Sequence, residues 1–261
     1  MIFMDNTVQK RIEENIRYTS NWWGKQNPLR TFFSYTEKFH AHTFLKAFTK
    51  YSANEKYLID IGFGDAYLIE KIFTRDKNEK VTVIGTDISI ANVTAFTKRA
   101  IGKGLSHAYA LSVDPFQSLL PIKSESIDYV NCSHVLEHVV SDSELVKEIH
   151  RILKPDGTAF FMVPLNEKGW DVPTHVRKYT NNSIKNVIEK KFVISFTEEN
   201  DAFSRMILYC AVHKNFFTLI FKRSLIFLLC LLPFPVQSAL DRLFRSFGFK
   251  ASQILLIAGK K

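Results

Sequence analysis

Apolar positions in this chain fall into short continuous runs, most of them closed by an acid, a glycine or a proline. Runs near 57–61, 81–86, 107–112, 127–133, 157–163, 192–198 and 253–259 have the length and β-branched content of buried strands. Between them, 65–74, 90–102, 142–153 and 181–190 carry apolar residues at helical spacing. Ser141-Asp142 and Thr180-Asn181 are the expected caps, and Pro155 with Gly157 stops the helix before them. Alternating strands and helices predict an α/β, doubly wound, mostly parallel sheet covered on both faces. Ahead of it, 7–20 and 34–51 read as two helices joined by Asn21-Trp-Trp-Gly-Lys-Gln-Asn-Pro28.

The first strand runs into Asp60-Ile-Gly-Phe-Gly-Asp-Ala66. Gly62 and Gly64 let the backbone approach a ligand more closely than any Cβ would allow, and the amides of the following helix start face the same point. A dinucleotide fingerprint wants a small residue three places after the second glycine. Tyr67 stands there, and Ala66 comes one place early. Asp60 would also repel a pyrophosphate, whereas a cationic ligand without phosphate suits it. The second strand, Val81-Thr-Val-Ile-Gly-Thr-Asp87, likewise ends in an acid, whose carboxylate can accept hydrogen bonds from a ribose diol. It lies 27 residues after Asp60, beyond the usual spacing of about 20. The polar stretch 75–80 supplies the excess as a surface loop.

Val113-Asp114, Leu120-Pro121, Ser126-Ile-Asp-Tyr-Val130, His134-Val-Leu-Glu-His138 and Leu153-Lys-Pro-Asp-Gly157 follow in order. With these motifs the chain resembles the class I S-adenosylmethionine-dependent methyltransferases, specifically the type 11 small-molecule group. The resemblance covers roughly 55–200 and the closing strand 254–261, with Ala66 and Asp156 standing where glycine is commoner. It implies a Rossmann-like seven-stranded methyltransferase fold, S-adenosyl-L-methionine as cofactor and S-adenosyl-L-homocysteine as product. Asp60, Gly62 and Gly64 would hold the methionine end, Asp87 the ribose and Asp114 the adenine amine, with Ile88, Pro115 and Ser133 beside them. The implied organisation is an N-terminal helical cap over the substrate (1–54), the core (55–203), an insertion (204–250) and the closing strand (251–261).

Histidines raise separate questions. His134-Val-Leu-Glu137-His138 matches the inverted zinc-protease motif, but it follows a strand directly and shows no third ligand downstream, so no metal is expected. The resemblance places this segment, with His138, along the cofactor and substrate cleft. Asp171-Val-Pro-Thr-His175-Val-Arg177-Lys-Tyr179-Thr180 falls where similar enzymes place a segment next to the acceptor. His175 can serve as a base for an acceptor hydroxyl, or His175 and Arg177 can simply pin the loop.

Charge is concentrated late. Residues 204–261 hold nine lysines and arginines against one acid, Asp241, in a chain of net charge +9. Their apolar stretch 225–236 is too short for a bilayer, which takes roughly 20 residues, and it contains Pro233 and Pro235. A basic, aromatic-rich segment of this kind reads as interfacial, lying on an anionic membrane. A buried hairpin or a homodimer contact is the alternative. Nucleic acid is disfavoured because the basic residues alternate with aliphatics, and because Asn131-Cys-Ser-His134 departs from the Asn-Pro-Pro-Tyr type motif of nucleic-acid methylation.

Three scattered cysteines and an early charged N-terminus fit a cytoplasmic protein, peripheral on the inner face of the membrane. The expected activity is O-methylation of a small or lipid-linked acceptor. The alternatives are C- or N-methylation of a quinone or lipid, and a non-catalytic S-adenosylmethionine-binding membrane scaffold.

Overall fold

The structure is a computed structural model that describes residues 13–14, 16–17, 35–51, 56–75, 81–114, 119–165, 172, 174–202, 224–225, 228 and 231–261. The 21–28 linker, Pro115 and most of the insertion lie outside the described residues.

The seven apolar runs form one sheet: β1 (Lys56–Ile61), β2 (Val81–Asp87), β3 (Ala108–Ser112), β4 (Ile127–Ser133), β5 (Leu153–Pro164), β6 (Phe192–Asn200) and β7 (Gln253–Lys260). Their spatial order is β3-β2-β1-β4-β5-β7-β6. All neighbours are parallel except β7, which runs antiparallel to both β5 and β6. One edge of the sheet therefore gathers the carboxyl ends of β1 to β6 with the start of β7.

Helices α1 (Tyr35–Tyr51), α2 (Tyr67–Arg75), α3 (Ile90–Gly102), α4 (Asp142–Ile152) and α5 (Asn181–Ile188) cover the sheet. Alternate residues of each central strand are buried on opposite faces, as a parallel sheet requires. Ile59, Val130 and Phe161 join the α4–α5 layer with Leu145, Ile149 and Ile184. Leu58, Tyr129 and Phe160 join the α1–α3 layer with Phe44, Ile69 and Phe96. Helix α1 packs onto the second of these layers. Phe44 and Phe48, one helical turn apart, pack edge-on against Phe160 and Tyr129 at centroid distances of 5.0 and 5.3 Å. Their burial makes α1 part of the core cover.

Two local expectations also shift. β5 begins at Leu153 instead of 157, because Leu153 pairs with Ile127 and a register irregularity then absorbs Pro155, which has no amide to donate. Thr180 forms a full capping box with Ser183, whereas Ser141 sits at the start of α4 with no side-chain cap bond.

The described end of the insertion is α6 (Phe234–Ser246), which starts at Pro233-Phe-Pro235, where proline's fixed φ suits the first turn. Its polarity is inverted. Gln237 and Asp241 are buried, while Val236, Leu243, Phe247 and Phe249 are exposed on α6 and just after it. Asp241 accepts a hydrogen bond from the Ala202 amide at 2.7 Å and ion-pairs with Arg245 at 3.2 Å, which ties α6 to the end of β6. His42 of α1 stacks on Phe234 at 4.5 Å. Among the described residues, no helix is long and apolar enough to cross a membrane.

Candidate active site

The first turn after β1 is built for close approach. Gly62 has φ +71°, and a Cβ there would lie 2.4 Å from Val135 Cγ2. Gly64 is also left-handed, at φ +58°. The amides of Gly62 and Phe63 both donate to Thr86 O, at 2.7 and 3.2 Å, so the turn is fastened to the end of β2. Ala66 follows at φ +62°. A left-handed residue with a Cβ costs about 1–2 kcal/mol, which is why glycine is common at such a position.

Two acids converge on this turn. Asp87 accepts from Gly64 N at 2.9 Å, Ser89 N at 2.8 Å and Asn92 Nδ2 at 3.2 Å. Burial raises its pKa, and the Ser89 and Gly64 amides oppose that rise. Asp60 is 3% exposed and accepts from Asn131 Nδ2 at 2.6 Å. Asn131 in turn accepts from Ser133 Oγ at 2.7 Å. Burial pushes the Asp60 carboxyl up to about 7, against the pull of Asn131 and with a further push from Asp87 and Asp65. A carboxyl held this high is a site waiting for positive charge. Ile88 and Asp114 lie partly buried at the same edge, where Val113 N donates to Asp87 O at 3.0 Å.

The other half of the edge is assembled from distant segments. β4 ends at Ser133, and His134 turns the chain at φ +57° with its amide on Met162 O at 2.8 Å. His134 Nε2 lies 3.2 Å from Gln253 Oε1, and Gln253 donates to Asn200 Oδ1 at 2.7 Å. Residues 134–140 form turns, not the helix a protease motif would need. The 174–180 segment is clamped on them. Val176 N donates to Glu137 O at 2.9 Å. Arg177 donates to the carbonyls of Leu136 (2.6 Å), Val139 (2.7 Å) and Val140 (2.6 Å), and Tyr179 Oη donates to Asp142 Oδ2 at 2.8 Å. Arg177 is thus a structural pin.

This clamp brings together His138 and His175, both singled out in the sequence. Their rings meet edge-on at 4.7 Å, and His138 Nδ1 lies 3.1 Å from Thr174 O. Burial, the larger effect, lowers the His138 pKa although Glu137 opposes it. Glu137, His138 and His175 offer ligand atoms that all lie within 4.8 Å of one another, a set different from the two histidines of the sequence motif because it leaves out His134. Among the described residues, neither oxygen of the buried Glu137 has a hydrogen-bond partner, and His134 Nδ1 forms an ion pair with it at 3.4 Å. Thr174 Oγ1 and Asn200 Nδ2 are likewise buried and unsatisfied.

Asn92, Asn200 and Gln253 were not singled out in the sequence, and Asn131, Glu137 and Thr174 stand there inside quoted motifs without a role of their own. Asn131 left a trace there, as an amide inside an otherwise apolar strand. Asn200 and Gln253 acquire meaning only from tertiary contacts.

This strand order with a glycine turn and paired acids defines a class I methyltransferase domain. Residues 59–161 match the sequence model of the type 11 family described as Methyltransferase domain. Over 107 residues the chain is 30% identical to the ubiquinone biosynthesis O-methyltransferase of Pseudomonas syringae pv. tomato, covering 41% of this chain and 43% of that relative. The chain thus spans less than half the length of that relative. Among solved structures, the [4+2]-cyclase SpnF is similar at 15% identity and TM-score 0.61, over 97% of this chain and 94% of its own. Phosphoethanolamine N-methyltransferase 2 of Haemonchus contortus, in complex with S-adenosyl-L-methionine, is similar at 15% identity and TM-score 0.59, over 85% and 52%. At such identities the likeness shows the fold, and a cyclase among the neighbours means the fold alone does not set the reaction.

Proposed function

We propose that the protein is an S-adenosylmethionine-dependent O-methyltransferase acting on a small or lipid-linked amphiphilic acceptor of the phenol or quinol type. The observation that carries this reading is the acid-lined turn, open to close approach at Gly62 and Gly64. A pyrophosphate would meet the Asp60 carboxylate there, whereas the ammonium and sulfonium of S-adenosylmethionine complement it. The cofactor supplies an already electrophilic methyl, so the protein's contribution is mainly positioning for in-line displacement.

Asp60 faces the cationic end. Asp87 already accepts three donors, and a carboxylate offers about four lone-pair positions. It can take one ribose hydroxyl directly, and a two-point hold on the diol requires the long Asn92 contact to yield. The acceptor lies against Glu137, His138 and His175, where its hydroxyl loses its proton. The relative's name, ubiquinone biosynthesis O-methyltransferase, supports a quinol-type acceptor. A non-catalytic scaffold would have no use for polar groups held unsatisfied at this position.

The outward apolar face of α6, beside Arg242 and Lys250, supports peripheral contact with an anionic membrane. Arg245 is engaged by Asp241 and contributes less. Replacing Lys222, Arg223, Arg242 and Lys250 with Gln releases the protein from anionic liposomes on this reading. A homodimer held by the same face, indifferent to liposomes, would overturn it. For the reaction, methyl transfer from S-adenosylmethionine to prenylated catechols and hydroquinones is compared with lipid-linked glycans and soluble phenols. Asp87→Ala is expected to weaken cofactor binding by about 1.5–3 kcal/mol. Normal affinity in that variant would remove Asp87 from the site.

A further inference from the structure

We infer that Glu137, His138 and His175 form a binding site for a divalent transition-metal ion of the Zn2+ type, on the acceptor side of the methyl-transfer centre proposed above. The donor set is two imidazoles and a carboxylate, a combination that catalytic zinc sites use while leaving a position open. Such a set also suits Co2+ and other borderline metals. The ligand atoms lie within 4.8 Å of one another. Two ligands on one tetrahedral ion with bonds of about 2.0–2.2 Å stand roughly 3.3–3.6 Å apart, so small side-chain rotations close the site.

The independent observation is Glu137 itself. It is 1% exposed, and among the described residues neither carboxylate oxygen has a hydrogen-bond partner. Burying a carboxylate is costly unless it is both paired and hydrogen-bonded; His134 Nδ1 at 3.4 Å supplies an ion-pair partner, and a cation between the carboxylate and the two imidazoles would supply the close contact that its oxygens lack. His138 is already oriented for ligation. A carbonyl can only accept, so Thr174 O fixes the proton on Nδ1 and leaves the Nε2 lone pair free. Metal-binding histidines are held through their second nitrogen in this way. The two turns are also locked in register by Val176 N on Glu137 O and by Arg177 on three carbonyls of the Glu137 turn.

An ion here would bind the acceptor oxygen at its open position and make that hydroxyl more acidic. The acceptor O–H proton leaves to solvent, the O–CH3 bond forms as the S–CH3 bond breaks, and a neutral thioether departs. Neither imidazole then needs to act as the base. Acceptors with adjacent oxygens, which can chelate, become the favoured class.

The test uses the full chain stripped with a chelator and titrated with Zn2+ and Co2+ by calorimetry and, for Co2+, visible absorption. One equivalent is expected to bind, with the intense visible bands of low-coordinate Co2+. Glu137→Gln and His175→Ala each weaken binding at least about tenfold. His107→Ala, at the opposite edge of the sheet, leaves it unchanged. S-adenosylhomocysteine titration of each variant checks that the fold persists; if Glu137→Gln fails it, His175→Ala decides. No stoichiometric metal binding by the wild type, or binding that survives His175→Ala, overturns the inference. S-adenosylhomocysteine binding without metal binding sinks the metal site alone. Metal binding without S-adenosylhomocysteine binding upholds the site and sinks the methyltransferase reading instead.

Discussion

The two halves of the sheet's carboxyl edge are satisfied in opposite ways. On the β1–β2 side, Asp87 accepts three donors, Asp60 accepts Asn131, and the glycine turn is sewn to Thr86 O. On the β4–β7 side, among the described residues, Glu137, Thr174 and Asn200 keep buried polar atoms without a hydrogen bond, although the backbone around Glu137 is clamped by Arg177. Buried polar groups are nearly always paired, so three such residues at this edge, against Arg99 Nη1 alone beside the glycine turn, mark where a ligand would complete the structure. The cofactor side is preformed by local rules, and the acceptor side is a rigid frame around unfilled valences.

The largest expected effect probes the one tension in the preformed half. Asp60 titrates near 7 in the folded protein against an ordinary 3.8. Between those values the native state keeps a proton that the unfolded chain has lost. Stability therefore falls as pH rises through that window and levels off above about 7. The full penalty is on the order of 4 kcal/mol. Denaturant titrations at pH 5 and pH 8 should show this fall in the wild type and a flatter response in Asp60→Asn. Cofactor affinity should move the other way, rising towards pH 7 as Asp60 ionises to meet the ligand's positive charge. Equal wild-type stability at the two pH values would mean that Asp60 is solvated.

Next in size is the clamp. Arg177→Ala strips three carbonyls of the acceptor turn, with an expected cost of about 2–3 kcal/mol in chemical denaturation. Turnover should fall while S-adenosylhomocysteine affinity stays within about twofold, because the two halves do not share this contact. A matching loss of cofactor affinity would merge the halves into one unit. The smallest effect concerns caps. Thr180→Ala removes a working capping box and should cost about 1 kcal/mol, whereas Ser141→Ala, which removes no cap bond, should cost less than about 0.5 kcal/mol. Equal melting shifts would reject that distinction.

The same contrast explains what could be read in the sequence. All seven strands, and α2 to α5, were visible because burial on both faces writes continuous apolar runs and local spacing writes helices. Gly62, Gly64, Asp60 and Asp87 were visible because their roles depend on neighbours within one turn. The pairing of His138 with His175 was not, since it arises from backbone bonds such as Val176 N to Glu137 O across two separate loops. Nor was the inward polarity of α6. Gln237 and Asp241 look like a solvated face until Asp241 is seen to hold the Ala202 amide.

The most direct measurement is a calorimetric titration of the full chain with S-adenosylhomocysteine and, in parallel, with NAD. Tyr67 stands where a dinucleotide site needs a small residue, and Asp60 stands where its pyrophosphate would lie. Saturable one-to-one binding of S-adenosylhomocysteine, weakened in Asp87→Ala, with no binding of NAD, is expected. A folded protein that binds NAD and ignores S-adenosylhomocysteine would contradict the central claim.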